Sequence, residues 1–220
     1  MRSLRELAGI ALLLCAGTGA AADWPELPLP EGAQGEWVSR HMIHNGIPMR
    51  AARFTSALAP QQLVDFYQRK WPGQTTVSEL GGKRIVGHGT ATHFTTIEIS
   101  GGASGSEGQI GIVELLRETP KTPPGSDFLK PSGTRVITDT RYLDNPGRTL
   151  SMEAPLSPFQ SESFYRSRLP AAGWRHERPQ PCSMAARSCT ADYSRDKEQM
   201  TLTFNRNGDT TEIVVNQVRR

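Results

Sequence analysis

The stretch LAPQQLVDFYQRKWPG, Leu58 to Gly73, returns as LSPFQSESFYRSRLPA, Leu156 to Ala171. The correspondence extends upstream without a gap, Val38–Gly73 on Val136–Ala171. Identical pairs stand at Val38/Val136, Pro48/Pro146, Arg50/Arg148, Leu58/Leu156, Pro60/Pro158, Gln62/Gln160, Phe66/Phe164, Tyr67/Tyr165 and Pro72/Pro170. The physical agreement is closest at a helix entrance. Pro60 and Pro158 suit the first helical position, where the missing N–H has no partner to lose and the fixed φ already fits. The second copy adds a capping box, Ser157 with Gln160, whereas the first has Ala59 and sets Leu58 against Leu63 as a hydrophobic staple. Helical spacing puts Leu63, Phe66, Tyr67 and Trp71 on one face of the first helix, and Phe164, Tyr165 and Leu169 on one face of the second. The Phe-Tyr pair is read as core, with the Tyr hydroxyl free to reach the surface.

Strands surround each helix. VSRHM and MRAARFT precede the first, VITDT and TLSME the second. Afterwards come KRIVG, against GWRHE or TADYS; TTIEIS, against MTLTFN; and QIGIVELL, against TEIVVNQV. In MTLTF the alternation of Met200, Leu202 and Phe204 with Thr201 and Thr203 marks an antiparallel strand with one buried face. Asn207-Gly208 supplies a tight turn, and the Gly/Ser stretch GGASGSEG a longer hairpin tip rather than a phosphate loop, since it opens no helix. The expected fold class is α+β: two tandem homologous modules, each an antiparallel sheet of about four or five strands in ββαβββ-like order with one helix on one face. The first module spans 23–116 and the second 131–220, joined by a proline-rich linker at 117–130. Pro30-Glu-Gly and Pro131-Ser-Gly mark matching approaches to the first strands, and an approximate twofold relation between the modules is expected.

With Phe164-Tyr165 followed by Leu169-Pro-Ala-Ala-Gly-Trp174, the chain resembles small exported domains of bacterial envelope proteins, in which an FY helix leads into LPAAGW and antiparallel strands. Most of those domains have no assigned activity. In the first copy Trp71-Pro72-Gly73 replaces the longer phrase. The resemblance implies export and fold, and brings no catalytic residues.

The opening residues carry the pattern of a secretory signal: Arg2 and Arg5, an apolar run from Leu7 to Ala16, and an exit at Ala20-Ala21-Ala22. The run is shorter than the ~20 apolar residues a membrane span requires, so residues 1–22 are read as a cleaved signal and the mature chain as periplasmic or secreted. Leu14 ahead of Cys15 speaks against a lipid anchor. Cleavage removes two Arg and one Glu, so 25 basic residues become 23 and 22 acidic residues become 21. A balance this even, without like-charge runs, does not point to nucleic acid or an anionic membrane as partner. Cys182 and Cys189 remain and are expected to form a structural disulfide, because oxidising compartments preserve such bonds.

Chemistry-bearing residues are sparse. His41 and His44 form H-x-x-H, but on a strand residues three apart point to opposite faces; His88 and His93 share the defect. Neither pair brings the third ligand a zinc site needs, and these histidines are read as solvated. Ser104 lies in no nucleophile elbow. Asp65 and Glu162 on the helices are read as solvated, and the matched Arg50 and Arg148 as ion-paired, with anion binding the alternative. No catalytic, cofactor-binding or metal-ligating residue is assigned. The function expected is a non-catalytic envelope scaffold or adaptor that binds another envelope protein, accessory to a secretion or surface-assembly apparatus. The alternatives are a small periplasmic metal-dependent hydrolase using the histidines, and a small-ligand or glycan binder with its site between the modules.

Overall fold

The structure, a computed structural model, describes residues 23–177 and 182–219 of the chain. The signal read over residues 1–22, with Cys15, lies outside them. Among the described residues twelve strands form one antiparallel sheet. The first half contributes β1 (Gln34–His44), β2 (Ile47–Ser56), β3 (Thr75–Leu80), β4 (Lys83–Gly89), β5 (His93–Gly102) and β6 (Gly105–Glu114). The second contributes β7 (Arg135–Tyr142), β8 (Gly147–Ala154), β9 (Arg175–His176), β10 (Ser188–Arg195), β11 (Glu198–Asn207) and β12 (Thr210–Arg219). Helix α1 (Pro60–Lys70) follows β2, and α2 (Pro158–Arg168) follows β8 and runs into a 3-10 turn at Leu169–Ala172.

Across the sheet the order is β3-β4-β5-β6-β2-β1-β7-β8-β12-β11-β10-β9. Read outward from the centre, both halves follow the same path: first strand, second, sixth, fifth, fourth, third. The two first strands pair antiparallel at the joint, with Met42 opposite Tyr142, Ile43 opposite Arg141 and His44 opposite Thr140. An antiparallel joint between equivalent strands relates the halves by an approximate twofold axis normal to the sheet, which leaves both helices on the same face. Helix α1 packs on β3, β4 and β5, and α2 on β10 and β11.

This arrangement corrects the α+β expectation. The molecule is mostly β, with two helices of 11 residues laid on one twelve-stranded sheet, not two separate sheets of four or five strands. The reason lies at two edges. β1 offers an unpaired edge that β7 fills, fusing the halves through backbone hydrogen bonds. At the far side Thr75–Leu80 forms an additional edge strand whose side chains are nearly all exposed, so no alternation of apolar residues announces it.

Each half keeps its own core on the helix face. Ala52, Phe54, Leu63, Val64, Tyr67, Ile97 and Ile110 form one, and Leu150, Met152, Tyr165, Leu202, Phe204 and Val215 the other. The helix entrances form as their sequences dictate. Ser157 Oγ accepts the Gln160 N–H at 3.2 Å while Gln160 Oε1 accepts the Ser157 N–H at 2.9 Å. In α1 only the second arm exists, the Ala59 N–H donating to Gln62 Oε1 at 2.8 Å. Tyr67 and Tyr165 are fully buried at matching places. Contrary to expectation, their hydroxyls are buried as well, and burial pushes both pKa values well above the usual tyrosine range.

The gapless correspondence fails in the first strand. Ala52 pairs with Trp37, whereas its counterpart Leu150 pairs with Asp139. The β1–β2 connection is the two-residue turn Asn45-Gly46, both at positive φ, while β7–β8 turns through Leu143 to Pro146. The identity of exposed Val38 with half-buried Val136 is therefore not a structural equivalence. Two other turns differ in detail from their sequence reading. The β11–β12 turn centres on Gly208-Asp209, with Asn207 in the ladder, and β5–β6 closes on Ala103-Ser104, with Gly101 and Gly102 paired as strand.

The segment between the halves holds no regular structure but is packed. Gly125 sits at φ +64 against Val136, and its N–H donates to Asp139 Oδ2 at 2.8 Å. Pro120 lies against Gly46, where a side chain would collide with it. The Pro30 and Pro131 approaches match, each with a glycine at φ +76 two residues on and a carbonyl accepting from Ala33 N–H or Thr134 N–H. Cys182 and Cys189 are bonded and tie the entry of β10 to the second core. Replacing both cysteines by serine is expected to lower the stability of the oxidised protein by about 2.5 kcal/mol, from lost loop-closure constraint on the unfolded chain, read as a shift of the urea midpoint that reductant reproduces in the parent protein.

Candidate functional site

The densest charge cluster lies on the helix face beside the joint. Arg148, on β8, donates from Nε to Asp139 Oδ1 and from Nη2 to Asp139 Oδ2, both at 2.8 Å. Asp127, from the connecting segment, accepts from Arg148 Nη2 at 2.9 Å and from Arg141 Nη2 at 2.9 Å. Side-chain exposures of 12% for Arg148 and 6% for Asp139 make this a largely desolvated pair, held in a two-pronged geometry only arginine offers. Burial by itself would raise the pKa of Asp139. The hydrogen bonds from Arg148 and the Gly125 N–H, with the charges of Arg148 and Arg141, outweigh it and hold the carboxyl below its usual range. Asp127 is lowered for similar reasons. Of the two arginines expected to be ion-paired, Arg148 is; the Arg50 side chain makes no ion pair or hydrogen bond with a described residue.

The histidines do not converge. His41 is exposed, and His44 Nδ1 lies 2.8 Å from Thr140 Oγ1 across the joint. His88 and His93 are not solvated as expected but buried in strands. His88 stacks on Trp71 at 4.1 Å between ring centroids with Nδ1 near the Gln74 carbonyl, and His93 packs on Trp24 at 4.7 Å. Among the described residues no group of three potential metal ligands comes together. Ser104 is at a hairpin tip, and Asp65 accepts from Gln61 Nε2 on the surface of α1.

Glu162 overturns its sequence reading most clearly. It is not solvated but 1% exposed, and Ser161 beside it is fully buried. At the matching places α1 carries Leu63 and Val64, both core residues. Arg166 Nε lies 3.0 Å from Glu162 Oε1 without the alignment of a hydrogen bond, and neither carboxylate oxygen accepts one from a described residue. Tyr193 stands close enough that burial, followed by the Glu162 charge, pushes its pKa up to about 12. His176 stacks on Tyr193 at 4.7 Å, its Nε2 buried and unpartnered among the described residues. A polar pair thus interrupts the apolar face of α2. Setting the two helices against each other position by position, Leu63/Ser161 and Val64/Glu162, is the signal that finds it.

Among the described residues no helix covers the opposite face of the sheet. In the first half it forms an open groove of about 690 Å³, crossed by the ion pairs Glu36–Arg53 and Lys83–Glu98. A second hollow of about 440 Å³ shares Arg53, Glu98 and Gln109 with it and adds Val38, Met49 and Val113. The second half has a separate hollow of about 800 Å³ beside Arg175, Glu177 and Asp192. Both charged and apolar side chains line the first-half hollows; in the second-half one Ser194 Oγ donates to Glu177 Oε1, which also accepts from Arg175 Nη2.

No protein family, curated protein or solved structure matches the chain. The protein is a mostly β chain built on one antiparallel sheet, with a disulfide. Among the described residues no helix is long and apolar enough to cross a membrane.

Asp139→Ala, which strands Arg148, is expected to cost about 3 kcal/mol, measured by urea denaturation at neutral pH. Because the folded-state pKa values of Asp139 and Asp127 are depressed, their contribution is complete above the unfolded carboxyl value near ~4 and is lost as pH falls through the folded values. Asp139→Asn should accordingly flatten the acid limb of a stability–pH curve. Replacing Ser161 and Glu162 together by Leu and Val is expected to stabilise the protein by about 1–4 kcal/mol, since a buried, incompletely bonded charge gives way to apolar packing; the same denaturation curves decide it.

Proposed function

We propose that the chain is an exported, non-catalytic scaffold that binds another envelope protein, as an accessory of a secretion or surface-assembly apparatus. Export and the apparatus rest on the signal-like residues 1–22 and on the resemblance carried by Phe164-Tyr165 and Leu169–Trp174. The disulfide and the absence of a membrane-spanning helix among the described residues are compatible with an exported chain. We read the two halves as copies of one ancestral module, supported by their common strand path.

The observation that carries the binding role is the uncovered sheet face. Its first-half groove joins exposed Val38 and the Met49 and Val113 side chains to the Glu36–Arg53 and Lys83–Glu98 pairs. Apolar side chains beside polar and charged ones are what protein contact surfaces combine. Exposed ion pairs of this kind contribute little to folding, about 0–1 kcal/mol each, so their charges are available to a partner at small cost to the fold.

A photo-cross-linking residue placed at Val38 or Arg53 is expected to give a discrete adduct in envelope extracts, while one at Gln61 on the exposed side of α1 gives none. Absence of an adduct from both groove positions, or equal labelling from all three, would remove the scaffold reading.

A further inference from the structure

Arg50 and Arg148 hold the same place in the two halves. Each lies two residues before the core residue that opens its strand's buried face, Ala52 or Leu150, and each points to the helix side of the sheet. An aromatic ring from the preceding lead-in covers each guanidinium: Trp24 over Arg50 at 4.7 Å, Phe128 over Arg148 at 5.6 Å. Around Arg148 the remaining donors meet two carboxylates of the chain itself, Asp139 and Asp127.

Around Arg50 both carboxylates are missing. The rung that Asp139 occupies opposite Leu150 is taken, opposite Ala52, by Trp37. No carboxylate of the first lead-in takes the part of Asp127: Asp23, beside Trp24, is exposed and makes no ion pair with Arg50. Arg50 Nε is buried without an acceptor among the described residues, while the terminal nitrogens reach solvent and make no hydrogen bond to those residues. A second cation stands beside it. Arg40 lies in the β1 bulge opposite Arg50, its guanidinium 5.2 Å from the Trp37 ring. The two arginines of the pair also differ in the direction of their pKa shifts. Burial and then the charge of Arg40 pull Arg50 down, whereas at Arg148 the hydrogen bonds it donates to Asp139 and Asp127, with their charges, overcome burial and push it up.

We propose that Arg50, assisted by Arg40 and flanked by Trp24 and Trp37, binds the carboxylate of a ligand in the place that Asp139 and Asp127 fill around Arg148. The chemistry is planar and two-pronged: parallel N–H donors of one guanidinium to the two oxygens of one carboxylate. Such a bond supplies to Arg50 the acceptors that the fold provides internally to its counterpart, and the tryptophan faces favour a ligand whose carboxylate sits on an apolar stem. The carboxylate comes either from an acidic side chain of a bound polypeptide or from a small free acid. The site is on the helix face, and it does not depend on the reading of the opposite face given above.

The test titrates the intact oxidised protein with malonate and, separately, with a short Glu-rich peptide. The readouts are the Arg50 Nε–Hε resonance and the fluorescence of the tryptophans, with chloride at matched ionic strength as the reference. A saturable shift of the Arg50 resonance is expected with at least one probe. Arg50→Lys, which keeps the charge and loses the fork, should weaken the binding read by tryptophan fluorescence by about tenfold or more. Trp37→Asp, which installs the internal carboxylate of the other half, should abolish the response while displacing the Arg50 resonance before any probe is added. Tighter binding of the peptide assigns the carboxylate to a polypeptide, and tighter binding of malonate to a small acid. The proposal is overturned if neither probe moves the Arg50 resonance beyond the chloride reference, or if Arg50→Lys binds as the parent does. Should Trp37→Asp fail to fold, the Arg50→Lys comparison decides alone.

Discussion

The pairing of β1 with β7 is the contact on which the architecture depends. Without it there would be two small half-sheets, each with an open edge at its first strand. With it the backbone N–H and C=O groups of both edges find partners, and the twelve strands become one layer. The ladder is secured from both sides. The Asn45 N–H donates to the Asp139 carbonyl and the Leu143 N–H to the His41 carbonyl, each at 2.8 Å. Side chains extend the joint: Asn45 Oδ1 accepts the Asp139 N–H, and the Asp144 carboxylate accepts from Ser39 Oγ and the Arg40 N–H. The Asp139 side chain in turn anchors Arg148 and the connecting segment. One aspartate thereby couples strand pairing, a buried charge and the path of the linker.

The two halves share a frame and differ in how they satisfy it. Where α1 presents Leu63 and Val64 to its core, α2 presents Ser161 and Glu162; where β7 supplies Asp139 to Arg148, β1 supplies Trp37 opposite Ala52 and leaves Arg50 open. Differences of this sort are informative because the backbone is a constant between them. A polar residue in a place its counterpart fills with an apolar one needs an acceptor or donor from elsewhere. A cation whose counterpart is neutralised internally has its own coordination unfilled.

Much of this was legible from local chemistry. The helix boundaries follow from Pro60, Pro158 and the Gln62 and Gln160 caps, whose partners lie within three residues. The burial of Met200, Leu202 and Phe204 follows from period-two alternation, and the disulfide from an exported reading and two cysteines. The edge strand at Thr75–Leu80 was not legible, because an edge strand whose side chains are nearly all exposed needs no apolar pattern. Neither was the slip in β1, where identical valines at Val38 and Val136 suggested an alignment that hairpins of unequal length remove. The charge sites escaped for a related reason. Asp139 and Arg148 are nine positions apart on two strands, and only the hairpin register makes them neighbours.

The sequence by itself therefore determined where the chain turns, where its helices start and which strand faces are apolar, since each depends on interactions between residues close along the chain. Tertiary structure alone decided that the halves share one sheet, that Glu162 is enclosed, and that Arg148 is neutralised while Arg50 is not. Those outcomes depend on which edges meet and in what register, and a hydrogen-bonded ladder between Met42–His44 and Thr140–Tyr142 joins residues that nothing in their local composition marks as partners.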